Sequence, residues 1–87
     1  MSYRHRKAQF VLTLHPAIAR LALRMQSKLD RDHVKADWME ISHWCHMQDL
    51  RDEVDELETA VGREAWDETA DVSNYAMMVA DVKARGR

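Results

Sequence analysis

Residues 50–72 read LRDEVDELETAVGREAWDETADV, and the reading of this stretch decides the fold. Leu50, Val54, Leu57 and Val61 recur every three or four residues, the spacing of one face of an α-helix. Gly62 then falls where a helix C-terminal glycine belongs. Beyond it, Ala65, Thr69 and Val72 begin a second stripe of the same period. A link this short between two helices makes them antiparallel neighbours.

Working outward, the first stripe extends back through Met47, Trp44 and Ile41. Asp37, with Glu40 three residues on, is a variant of the capping box and predicts a helix over about 38–61. The second stripe extends forward through Ala76 and Val79, predicting a helix over about 64–83. Further upstream, Pro16 suits the first position of a helix, where its missing N–H has no intrahelical partner to lose. Ile18, Leu21, Ala22, Met25 and Leu29 follow at helical spacing and predict a helix over about 16–30. Asp30-Arg31-Asp32-His33 reads as the polar link. Residues 1–14 contain no helix start. They form a basic, partly flexible N-terminal segment (Tyr3-Arg4-His5-Arg6-Lys7) ahead of a single domain at 15–87.

The composition agrees. With two glycines and one proline in 87 residues, there is little material for tight β-turns,. The expected class is all-α, an antiparallel bundle of about three helices. A chain this short buries a limited share of its surface, so the leftover apolar faces call for completion by oligomerisation. The net charge of −2 predicts no general attraction to a nucleic-acid polymer,. No apolar run approaches a membrane span or a signal-peptide core. A lone Cys45 excludes an intrachain disulfide framework and fits a reducing, cytoplasmic setting.

The informative residues are acids. Glu53/Glu56 and Glu68/Asp71 are each spaced i, i+3, so both carboxylates of a pair project from one face of their helix. On a wheel of about 100° per residue, Glu68 falls between Tyr75 and Val79 and Asp71 between Met78 and Val82, inside an apolar arc. Glu53 borders the Leu50/Val54/Leu57 stripe. Carboxylates facing a core are costly without compensation, and their own helix offers no cation before Lys83. A divalent cation is the simpler partner, and Mg²⁺ prefers carboxylate oxygens, waters and phosphates. The competing reading is ordinary solvated acids in a chain with 32% charged residues. It is stronger for Glu53/Glu56, which have Asp52, Asp55 and Glu58 as neighbours, than for Glu68/Asp71. His43, Cys45 and His46 lack the second cluster that a zinc site needs. Glu40-x-x-His43 occurs once, whereas a di-iron bundle needs the motif on two helices.

Asp52-Glu53-Val54-Asp55-Glu56-Leu57-Glu58-Thr59-Ala60-Val61 resembles the acidic helix of the MazG-type all-α nucleotide pyrophosphohydrolases. Glu68-Thr69-Ala70-Asp71-Val72-Ser73-Asn74-Tyr75 resembles their second acidic pair, with the continuation seen in small phage-type members. The resemblance spans roughly residues 33–82. Asp52 stands where the family often has Glu, and the interval from Glu56 to Glu68 is slightly short. The resemblance implies a hydrolase that splits a (deoxy)nucleoside triphosphate between its α- and β-phosphates, releasing monophosphate and pyrophosphate. It implies Mg²⁺ or Mn²⁺ held by Glu53, Glu56, Glu68 and Asp71, with Glu53 or Glu56 orienting the attacking water. It implies a homodimer or homotetramer with composite sites. Asn74 is then expected at a phosphate or sugar, and Lys83 either at a phosphate or as a favourable charge at a helix C-terminus. Lys35 and Trp38 precede the acidic helix, and Trp38 is expected either to stack on the base or to pack at the helix start. The alternatives are a metal- or nucleotide-binding module without turnover, and a helical interaction protein whose acids only solvate it.

Overall fold

The computed structural model describes residues 13–31, 38 and 40–86, which form three α-helices and no strand. They are α1 (Pro16–Arg31), α2 (His43–Thr59) and α3 (Arg63–Ala84). The basic tract at 3–7, Lys35 and Asp37 lie outside the described residues.

Helix α1 begins at Pro16, as the sequence predicts. His15 caps it, its Nδ1 accepting the Ala17 N–H at 3.1 Å and its carbonyl accepting from Ala19 at 2.9 Å. Helix α2 begins later than expected. Ser42, in extended conformation (φ −63, ψ 150), caps it by accepting the Cys45 N–H on its hydroxyl. Trp38 precedes this cap in a separate turn, its carbonyl accepting from Ile41 at 3.2 Å. Serine and aspartate are comparable N-cap acceptors, so capping chemistry alone does not choose between them, and α2 starts at His43 and not at the expected 38. Gly62 is likewise not the C-terminal glycine of α2. Ala60 ends that helix, and Gly62 is the N-cap of α3, with φ 63 and ψ −134.

Helix α3 is the centre of the molecule, since α1 and α2 both pack on it. Its buried line is Ala70, Asn74, Met78 and Val82, spaced four apart. This corrects the expected face of Ala65, Thr69, Val72, Ala76 and Val79, of which Ala76 is exposed and the rest half-buried. Small and apolar residues surround α3, so hydrophobic period alone does not choose a side. A polar Asn74 in the buried line disguised the true one. On α2 the inward line is His46, Leu50, Glu53 and Leu57, while Trp44 is 61% and Val61 78% exposed. The expected Ile41-to-Val61 stripe is thus rotated toward the acid side of the helix.

Direction follows from side-chain partners. Trp38 Nε1 donates to Asp81 Oδ2 at 2.9 Å near one end of α3, while Glu53 and Glu56 meet Glu68 near the other. Helices α2 and α3 therefore run antiparallel. Arg24 pairs with Asp67 (3.7 Å) and Lys28 with Asp71 (3.2 Å), an i, i+4 ladder on each side, so α1 and α3 run in the same direction. The Asn74 amide donates to the Met25 carbonyl at 3.2 Å and fixes their register.

Candidate functional site: a carboxylate cluster between α2 and α3

The tight link at Ala60–Gly62 folds the C-terminal half of α2 back onto the N-terminal half of α3. Glu56 is three residues from the end of α2 and Glu68 five from the start of α3, so the turn sets them opposite one another. Glu53 lies one helical turn before Glu56 and joins them. One carboxylate oxygen from each of Glu53, Glu56 and Glu68 lies within 4.8 Å of the other two. Glu53 and Glu68 are half-buried and Glu56 is exposed.

The electrostatics of this cluster are strained. Glu53 Oε2 and Glu68 Oε2 are both shielded from solvent and have no hydrogen-bond partner. Burial pushes the Glu53 carboxyl up to about 8, helped by the adjoining Glu68 carboxyl, by the charge of Asp71 and by Glu56. Glu68 is also raised, again chiefly by burial, with Glu56 and Asp71 adding to the effect and the adjoining Glu53 carboxyl opposing it. Three carboxylates this close cannot all ionise without a compensating positive charge. Either a proton or a cation supplies it. The donor set suits a hard divalent ion, because all three groups are carboxylates and two of their oxygens are unsatisfied.

The other predicted site residues lie elsewhere. Asp71 is close enough for its charge to act on Glu53 and Glu68, but its Oδ2 is bonded to Lys28. The cation that α3 itself does not offer before Lys83 comes from α1. Asn74 is fully buried one turn beyond Asp71, with Nδ2 engaged by α1 and Oδ1 without a partner. Trp38 is held at the far end of α3, its indole N–H on Asp81 and its carbonyl on Nε2 of the buried His46 at 2.8 Å. Trp38 and Arg85 together hold the Asp81 carboxyl below its usual range. Lys83 is exposed in the last turn of α3, about 22 Å along the helix axis from Glu68 at 1.5 Å per residue,. Cys45 is exposed and free.

Sequence reasoning missed Lys28 and Arg24. Their signal was present, since two cations four apart on α1 match two acids four apart on α3, Asp67 and Asp71. An aromatic–cation contact was equally unforeseen. Arg20 and Arg24 lie over the Trp66 ring, 5.3 and 5.6 Å from its centroid. No family model, no curated protein and no solved structure matches this chain.

Proposed function

We propose that this protein is a Mg²⁺-dependent (deoxy)nucleoside triphosphate pyrophosphohydrolase that splits the bond between the α- and β-phosphates. The observation that carries the reading is the convergence of Glu53, Glu56 and Glu68, with two buried, unpartnered oxygens among them. Its second support is the likeness of the two acidic segments to the MazG-type enzymes. Glu53, Glu56 and Glu68 would hold the cation, with Mn²⁺ as a substitute, and Asp71 adds negative charge beside them. Mg²⁺ bound there would neutralise the triphosphate and polarise the phosphoryl group under attack. Glu56, the exposed member, orients a water toward the α-phosphorus and accepts its proton. The oxygen–phosphorus bond forms there, the bond from the α-phosphorus to the bridging oxygen breaks, and pyrophosphate leaves with that electron pair.

Exposed Leu23, Trp44 and Val61 support completion of the bundle as a homodimer or homotetramer,. No helix among the described residues is long and apolar enough to cross a membrane. The free Cys45 fits the reducing cytoplasm, where nucleotide pools are kept,. Incubation with each nucleoside triphosphate and Mg²⁺, separating pyrophosphate from orthophosphate, tests the reaction. Pyrophosphate with the matching monophosphate is expected, and orthophosphate alone would overturn the assignment.

One observation favours a second reading, a metal- and nucleotide-binding module without turnover. Asp71 is already engaged by Lys28, which leaves three carboxylates in place of four. Nucleotide binding with no product from any nucleotide would establish it.

A further inference from the structure

Helix α2 carries a second pattern, which the single chain satisfies on one side only. Met47, Leu50, Val54, Leu57 and Val61 alternate at intervals of three and four, the a and d positions of a coiled-coil heptad,. Leu50 and Leu57 are half-buried, in the line with His46 and Glu53 that faces α3. The other side of the seam is open, with Val54 47% and Val61 78% exposed. Along that open edge stand Trp44, Arg51 and Glu58, seven residues apart and all exposed. Helix α1 packs on α3 and leaves this edge uncovered. Arg51 is the one Lys or Arg in an otherwise acidic helix. Among the described residues neither Arg51 nor Glu58 forms an ion pair, although Asp55 lies one turn from Arg51.

The two edges of a heptad seam decide how two such helices pair. In a parallel pair, the edge of Arg51 meets the opposite edge of its neighbour, and here His46 and Glu53 of that edge already face α3,. In an antiparallel pair, like edges meet. A twofold axis between Val54 and Asp55 then sets Arg51 of each chain opposite Glu58 of the partner subunit, so that one pairing of opposite charges occurs twice. Val54 lies at the axis, and Asp55, about 100° further round the helix, stands outside the seam. We propose that the Trp44–Arg51–Glu58 edge of α2 is a homodimer interface, on which a second copy of this chain packs antiparallel through reciprocal Arg51–Glu58 pairs. This rests on the reading that the chain self-associates, and it supplies the surface that joins the copies and their direction. Trp44, Val54 and Val61 contribute apolar area, and the charges set the register.

Sedimentation equilibrium of the full chain tests this by exchanging the charges. Wild type is expected to assemble, and dilution gives its dissociation constant. Arg51→Glu and Glu58→Arg each set like charges opposite one another at two places, and each should raise that constant at least roughly tenfold. The double variant Arg51→Glu with Glu58→Arg restores opposite charges and should assemble within about threefold of wild type. The weakening by either single variant should shrink in salt of about 1 M. Single variants that assemble as wild type does, or a double variant no tighter than they are, would overturn the proposal while leaving self-association intact through another surface. A wild-type chain that stays single at every concentration would overturn both. Circular dichroism checks each fold. Val54→Asp, which sets two acids at the axis, takes the place of any variant that does not fold, and assembly as tight as that of wild type would equally contradict the interface.

Discussion

Glu53 is the residue at which burial, charge and function meet. Its folded pKa of about 8 lies above the ordinary 4.5, so in the absence of a cation the folded chain holds a proton that the unfolded chain releases. Stability from this group is therefore fully present below about pH 4.5 and is lost as pH rises toward 8,. Glu68, raised in the same direction, adds to the trend. Thermal melts in chelator should accordingly show a melting temperature that falls between about pH 5 and pH 8. Added Mg²⁺ should reverse the fall by replacing the proton as counter-charge. Glu53→Gln, which imitates the protonated acid, should flatten the slope and raise the melting temperature at high pH. A slope of opposite sign would contradict the electrostatic description. At this scale the sequence was legible where a polar residue stood out against an apolar arc, as with Glu68. It was illegible where the compensating charge came from another element, as with Lys28 on Asp71, because a helical wheel contains no information about neighbouring helices.

Among the elements, the link between α2 and α3 decides whether the acids meet. Gly62 adopts φ 63, a region that L side chains rarely enter, although a Cβ there would have nothing within 4 Å. The constraint is thus backbone strain and not space. Gly62→Ala should cost about 1–3 kcal/mol in denaturant unfolding. An unchanged midpoint would show that the link relaxes. Met78 is fully buried in the central line of α3, and Met78→Ala should cost about 2–5 kcal/mol by leaving a cavity,. The number, order and approximate ends of the helices could be read from the chain, because Pro16 and the Gly62 break punctuate it strongly. The start of α2 could not, because Asp37/Glu40 and Ser42 both offer capping chemistry and only packing chooses between them. The buried side of α3 was hidden for a related reason. Ala70, Asn74, Met78 and Val82 are no more apolar than the opposite face, and it is the contact with α1 and α2 that selects them.

For the whole molecule, an α3 flanked by two helices leaves apolar surface uncovered, with Leu23 64% and Trp44 61% exposed. Sedimentation equilibrium should therefore return the mass of two or four chains, and a single-chain mass at all concentrations would contradict the proposed assembly. The candidate site belongs to this scale as well, since it exists only where the folded-back helices bring Glu53 and Glu56 to Glu68. Three of the four acids singled out in the sequence converge there, while the fourth, Asp71, is held by α1. What the convergence accomplishes is best measured directly, by pyrophosphate release from nucleoside triphosphates by wild type and Glu68→Gln, with Mg²⁺ and with chelator. Pyrophosphate is expected from wild type with Mg²⁺ only, with at least a roughly hundredfold loss in a Glu68→Gln variant that keeps its helical spectrum. Equal release by the two proteins, or release that persists in chelator, would contradict a metal-dependent acid site.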